Sequence, residues 1–456
     1  MPTHKVSRRD VLKMLGTATA ASFVPTIGVS FREAGRASLL FQGDAATVTF
    51  MVNANELSED ELTQFAEANP NITLNRVDYD QTRFFAMVAA GNAPDIIRVQ
   101  APTIPQYVAR GIVLDLTPYF QASTVLAEDD LMPVNDYYRV DDSLAVGQGN
   151  RYGMVKDWSP DMTIWVNTAL LEAAGVTVDP AERLTYQQLG EIARSSTQRE
   201  GDRVLVHGLL FANGGPWIDR VWMAMLAEKS VSLYSEDFRT ISLKDNEDAR
   251  AVIQYYFDLA KEGVSDSIAI APLSAGWHGE AFVNGQAAAL QYGYWFTPMA
   301  NTAQAEGHAV MLPAPTWADN PLSPCITATG GVITATSQVP DAAWTVYEWY
   351  YGGAPAESRG AGGWGVPGLQ SLLDLTPNET EFQQATRAVL DGELEHNYLL
   401  QFNPYLIQPE PTPVALSYMN NLEAALTGAM TFDELIETVE RESQEAIQEG
   451  IDAAGA

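Results

Sequence analysis

Asn53, Asn55 and Glu56 directly follow an apolar, β-branched run, TVTFMV over residues 47–52, and Gln100 follows a second, PDIIRV over 94–99. Amides and carboxylates just past strand ends can hold a polar ligand by hydrogen bonds without reacting with it. The same residue types also suit turns and solvated loops, so position alone leaves both readings open. A third stretch, RYGMVKDWSPDMTIWVN over 151–167, is stranger. Met154, Val155, Met162, Ile164 and Val166 suggest strand, yet Lys156, Asp157 and Trp158 stand in the middle. Of ten tryptophans, Trp217 lies in the turn ANGGPWID and Trp277 follows APLSAG, which makes both candidates for a cleft. Most tryptophans are simply core, and Trp344 and Trp349, in a run of aromatic and aliphatic residues over 341–351, read that way.

Bond-breaking chemistry finds no comparable support. There is no Gly-x-Ser-x-Gly elbow and no phosphate-cradling Gly-x-x-x-x-Gly-Lys-Ser/Thr loop. His278 beside Glu280 is a lone histidine near an acid. Acidic pairs such as Asp141-Asp142 are expected by chance among 58 acids. The five histidines are scattered and Cys325 is the single cysteine, which excludes a disulfide within the chain and a cysteine-based zinc site. No metal, no cofactor and no enzymatic activity are expected.

The candidate groups need elements to hold them. TVTFMV opens the folded part, Ser58 can cap a helix with Leu62, Phe65 and Ala66 on one face, and NITLNRV (71–77) gives a second strand. A helix around Phe84 to Ala90 and the strand of PDIIRV follow. Strands alternating with helices imply parallel βαβ units, with ligands beyond the carboxyl ends of the strands. Further on, Thr185 with Gln188 and Thr431 with Glu434 form capping boxes. Helix 248–261 carries an apolar stripe, and 287–292 and 330–337 read as strands. The turn-rich 312–326 and the glycine-rich 360–368 are candidates for passages between domains, of which 456 residues allow two or three.

Composition narrows the partners. With 46% hydrophobic and 18% charged residues the chain is globular, and 58 acids against 26 bases give a net charge of −32. Nucleic acid is excluded as a partner, because binding phosphates requires a positive face. The acidity fits a solvated, self-repelling surface first, and a saline medium that screens the repulsion second.

Ser7-Arg8-Arg9-Asp10-Val11-Leu12-Lys13 resembles a twin-arginine export signal, and Met14 to Val29 fits its weakly apolar segment. Cleavage after Ala18-Thr19-Ala20 or after Gly28-Val29-Ser30 is consistent with the residues there. No cysteine for a lipid anchor stands nearby, and residues 31–44 read as a linker. The expectation is export in the folded state to a periplasmic or extracellular, cell-surface location, free or tethered.

Several spaced motifs together resemble one family, the extracellular solute-binding proteins of sugar ABC importers, the maltose-binding-protein-like group. They are Ala90-Gly91-Asn92-Ala93-Pro94-Asp95-Ile96 with Leu114-Asp115-Leu116-Thr117-Pro118-Tyr119; Arg151-Tyr152-Gly153-Met154 through Trp165-Val166-Asn167 to Gly175; Phe282-Val283-Asn284-Gly285-Gln286-Ala287-Ala288 to Tyr294-Trp295; and Thr329-Gly330-Gly331-Val332, Pro340-Asp341-Ala342-Ala343-Trp344 and Gly363-Trp364-Gly365-Val366-Pro367. The resemblance spans roughly 47 to 450.

It implies an α/β two-lobe periplasmic-binding-protein (type II, Venus-flytrap) fold with parallel-dominated sheets. One lobe would hold 45–156 plus 332–363 and the other 160–328 plus 367–456, after a signal and linker over 1–44. The chain would cross near 155–161, 327–332 and 362–368. A carbohydrate, mono- or oligosaccharide, would bind between the lobes and pass to the permease subunits of the transporter, the protein acting as a monomer. The resemblance puts Trp295 at the cleft and Asp157, Trp158 and Trp364 at crossings. With Glu56, Asn53, Asn55, Gln100, Trp217 and Trp277 they form the expected ligand-binding set. Trp158→Ala is expected to weaken binding more than folding. A polyamine or other small organic solute on the same fold, and a secreted glycoside hydrolase, are the alternatives.

Overall fold

The computed structural model describes residues 43–211, 215–302, 308–406 and 410–454; the expected export signal and most of the expected linker lie outside them. Strand β1 (Ala46–Val52) is buried along most of its length, and helix α1 (Glu59–Ala68) starts where Ser58 and Glu61 form a reciprocal capping box. Strand β2 (Ile72–Asp78) pairs parallel with β1, and helix α2 (Gln81–Ala89) is capped by Asp80. Strand β3 (Ile96–Gln100) lies parallel on the other side of β1. The chain then leaves this sheet through β4 (Gly153–Val155) and β5 (Asp157–Trp158) and enters a second one at β6 (Ile164–Asn167).

Helices α3 (Tyr186–Ser196), α4 (Ile218–Ala227) and α5 (Glu247–Lys261) belong to this second part, with strands β7 (Ala289–Gln291) and β8 (Ala309–Leu312). The second sheet runs β7-β6-β8 with both pairs antiparallel, and single bridges bring His207 and Leu210 parallel to Ala287 and Leu290. Strand β9 (Thr329–Ile333) returns to the first sheet, giving the order β2-β1-β3-β9-β4. The expected parallel pairing is therefore that of β2-β1-β3. Strand β9 re-enters from the carboxyl edge, without a helical crossover, and so runs antiparallel to both neighbours. Its glycines fit a close approach: a Cβ on Gly330 would stand 2.0 Å from the Met154 carbonyl, and one on Gly331 the same distance from Tyr351 Oη.

Helix α6 (Pro340–Gly352) covers this sheet with stacked rings, Trp344 on Tyr347 at 5.4 Å and Tyr347 on Tyr351 at 4.2 Å. Tyr347 ties it down, accepting from Met154 N and donating to the Gly331 carbonyl, both at 2.8 Å. Helix α7 (Ala354–Gly362) leads to β10 (Val366–Pro367), which pairs antiparallel with β5, so two passages between the sheets run side by side. Helices α8 (Pro413–Leu426) and α9 (Phe432–Ala454) close the chain, α9 behind the Thr431/Glu434 box. Sequence periodicity did not mark α4 or α8. Both are apolar nearly all round, because they are buried from several sides.

One carboxylate locks two passages together. Asp161, buried on the first, accepts from Ser159 Oγ and from Ile326 N, each at 2.8 Å, and from Cys325 Sγ at 3.3 Å on the second. Burial raises its pKa above the usual aspartate range, with those hydrogen bonds opposing.

Candidate functional site

The carboxyl ends of β1, β2, β3 and β4 bring side chains to one edge. Glu56 sits in the turn after β1, where its N–H reaches the Asn53 carbonyl at 2.9 Å. Arg98 and Gln100 share a face of β3, two residues apart, while Ile97 and Val99 point into the core. Arg98 Nε donates to both Glu56 oxygens at 3.1 and 3.0 Å, and its guanidinium lies 5.4 Å from the centre of the Tyr79 ring. Lys156, at the end of β4, stands 3.7 Å from Glu56 and also contacts the Asp157 carboxylate. Burial alone would raise the Glu56 carboxyl, but Lys156 and Arg98 outweigh it and hold the group below its usual range.

Groups from the other sheet's helices meet this edge. Arg220, on the first turn of α4 and 1% exposed, donates from Nη1 to Gln100 Oε1 at 3.1 Å and to the Ile326 carbonyl at 3.2 Å. Its Nη2 lies 3.9 Å from Glu410, whose other oxygen accepts from Trp217 Nε1 at 2.7 Å. Glu410 is felt across the gap. Tyr79 is pushed up to about 12 by burial first, with Arg98 opposing and Glu410 adding. Carboxylates, guanidiniums, an ammonium, an amide and two ring systems thus converge from both sheets, a set that can hydrogen-bond hydroxyls in fixed directions and cover an apolar face.

The expected residues divide. Glu56, Gln100, Asp157 and, through Glu410, Trp217 join this set. Asn53 shapes the Glu56 turn through its carbonyl, and Asn55 is exposed beside it. Trp277 and Trp295 belong to a second group, stacked at 6.5 Å with Tyr292 and Phe296 against them. That group begins where Gly293 packs on the first passage, so closely that a Cβ would stand 2.6 Å from Asp161 Oδ1. From Asp161, hydrogen bonds run through Ile326 to Arg220 at the charged edge. Beside the rings, His278 and Asp266 pair at 3.0 Å; burial would depress the imidazole, but Asp266 prevails and raises it. Trp364 is 50% exposed. Trp158 differs from the expectation of a ring meeting ligand: it is 3% exposed and packed in the core. Its Nε1 is buried without a hydrogen-bond partner among the described residues.

Tyr79 stands at a strand end that the sequence marks, whereas Arg98, Arg220 and Glu410 are not among the residues expected from sequence. A signal existed for two of them: Arg98 shares strand parity with Gln100, and Arg220 is a charge inside the apolar run IDRVWMAML. Two cavities of about 320 and 350 Å³ lie elsewhere, one beside α3 and one between Tyr119 and Trp344. Neither gathers charged groups from two sheets.

Residues 48–355 match the family of bacterial extracellular solute-binding proteins. The chain belongs to that family. A search of curated proteins by sequence finds no match. Solved structures similar to this solute-binding protein include an ABC substrate-binding protein from Listeria monocytogenes in complex with cycloalternan, 20% identical with TM-score 0.71, covering 90% of this chain and 100% of that one. Another is an ABC transporter solute-binding protein from Agrobacterium vitis S4 with bound D-mannitol, 19% identical with TM-score 0.66, covering 90% and 99%. The sugar-binding protein MalE from Xanthomonas citri is 17% identical with TM-score 0.67, covering 88% and 98%. These likenesses show the fold, the two-lobe α/β periplasmic-binding-protein architecture.

Proposed function

We propose that this solute-binding protein holds a carbohydrate between its two sheets and delivers it to the permease of an ABC importer, without catalysis. The observation that carries the reading is the meeting of Glu56, Arg98, Gln100 and Asp157 with Arg220, Glu410 and Trp217 from the other sheet's side. Planar polar groups with nearby rings are what a polyhydroxyl ligand requires. The sugar and sugar-alcohol ligands of the similar structures from L. monocytogenes and A. vitis support the same class. Lobes at 45–156 plus 332–363 and 160–328 plus 367–456, hinged at the three passages, would close on the ligand. Export by the twin-arginine route, a periplasmic or extracellular location and a monomeric state complete the proposal.

The ion pairing weighs against the alternatives. Glu56, Asp157 and Glu410 each already face a lysine or arginine, which leaves little for a polyamine. A glycosidase needs a carboxyl held protonated and facing the substrate; Glu56 is held the other way, and Asp161, which is raised, is buried and occupied by Ser159, Ile326 and Cys325. Native mass spectrometry of freshly purified protein, followed by a thermal-shift panel, tests the reading. A sugar at a hundredfold its Kd should stabilise by about 2.7 kcal/mol. If mono- and oligosaccharides shift nothing while another solute class does, the carbohydrate assignment fails.

A further inference from the structure

Cations gather at this edge. Lys156, Arg98 and, at longer range, Arg359 surround Glu56 and Asp157, and on the other sheet's side Arg220 lies 3.9 Å from Glu410. In a chain of net charge −32 this is a local concentration of cations, set among acids that include Asp80, which acts on Tyr79, and Glu61, which acts on Tyr350. Two of these cations also have donors to spare. Arg98 gives Nε to Glu56, while among the described residues its outer nitrogens make one long contact, Nη2 to Thr329 Oγ1 at 3.5 Å. Arg359 lies 4.4 Å from the centre of the Tyr350 ring and donates Nη2 to the Tyr350 carbonyl at 2.7 Å. Its Nε and Nη1 are buried without a hydrogen-bond partner among the described residues. Buried cationic donors left unmatched are costly, and a nearby anion reduces that cost. Glu410 acts on Arg98 from the opposite side, but Trp217 and Arg220 hold its two oxygens.

A guanidinium whose outer edge is open fits a carboxylate through two parallel hydrogen bonds. We propose that the carbohydrate bound here is acidic, a uronic acid or an oligosaccharide containing one, and that Arg98, flanked by Lys156, receives its carboxylate. This rests on the carbohydrate reading above. The positive field of Arg359 adds attraction without needing contact.

The test compares ligands that differ only in charge, using the wild-type protein. Glucuronate and galacturonate oligomers of one to three units would be titrated calorimetrically beside their methyl esters and carboxyl-reduced counterparts, with glucose 6-phosphate as a second anion. The acids should bind about tenfold tighter or more than their neutral partners, as a charge-assisted pair requires. Raising salt from 0.05 to 0.5 M should shrink that ratio, since screening shortens to a few ångströms (~4–5 Å). Arg98→Lys keeps the charge but loses the fork, and should reduce the acid-to-neutral ratio by about tenfold. If that variant does not fold, the ester comparison in the wild type still decides. Neutral partners or the sugar phosphate binding as tightly as the acids would overturn the proposal and leave the carbohydrate reading standing. Binding of no saccharide, with another solute bound, would remove both.

Discussion

Asp161 and Glu56 are both buried or half-buried carboxylates beside the same passages, yet their surroundings are opposite. Asp161 is satisfied by neutral donors, the Ser159 hydroxyl, the Ile326 amide and the Cys325 thiol, and burial raises its pKa. Glu56 is satisfied by cations, Arg98 and Lys156, and they lower it despite burial. The first arrangement leaves little unfilled and joins chain segments 164 to 165 residues apart in sequence. The second leaves the outer nitrogens of Arg98 with one long contact among the described residues. The passages hold backbone together, whereas the sheet edge has cationic donors left over, where we propose that ligand is received.

The largest effects should fall on the passages. Trp158→Ala removes a ring that is 3% exposed and should cost about 3–5 kcal/mol of stability, measured by urea denaturation. A cost under ~1 kcal/mol would mean that the ring is free to act on ligand instead. Asp161→Ala leaves a hydroxyl, an amide and a thiol without their acceptor and should cost at least about 3 kcal/mol, at ~1–3 for each buried group left unmatched.

Much of this division is legible in the residues themselves. Ser58 with Glu61 and Thr185 with Gln188 announce their helices locally, and the β-branched runs announce β1 and β3. Glu56 and Gln100 stand out because they follow strand ends. The other half of the site was hidden because its partnerships are remote. Gln100 meets Arg220 across 120 residues, and Trp217 meets Glu410 across 193. No local pattern encodes those distances. Trp158 is hidden for a related reason: beside Lys156 and Asp157 at a crossing it is expected to meet ligand, but its strand pairs with Val366 and the ring packs in the core.

The edge should respond less in stability and differently to pH. Glu56→Gln weakens charge-assisted bonds to Arg98 and should cost about 1.5–3 kcal/mol. Its folded pKa is lowered, so its contribution is present above the ordinary glutamate range and lost as pH falls through the folded value. Asp161 has the opposite sign. Its folded form holds the proton more tightly, so its contribution is greatest in acid and falls as pH rises from 3.8 through the raised folded value. Denaturation across pH should therefore show the wild-type advantage over Glu56→Gln shrinking in acid, and that over Asp161→Asn shrinking toward neutrality. Two curves with the same slope would erase the contrast.

The smallest stability effect belongs to Trp364. It precedes β10 by two residues, and β10 pairs with the strand that carries Asp157 and Trp158. Gly365 approaches that strand so closely that a Cβ would stand 3.0 Å from the Trp158 carbonyl, which fixes where Trp364 starts. The ring itself is 50% exposed, so Trp364→Ala should change stability by no more than about 0.5 kcal/mol. An exposed indole on a fixed backbone beside a ligand edge is suited to cover an apolar sugar face, and burying it there should contribute about 1–2 kcal/mol to affinity. Titration of Trp364→Ala with the saccharide the wild type binds should thus show Kd rising about tenfold with the unfolding midpoint unmoved. An unchanged Kd would leave Trp364 outside the site, and the edge from Glu56 to Asp157 would then end at the passage.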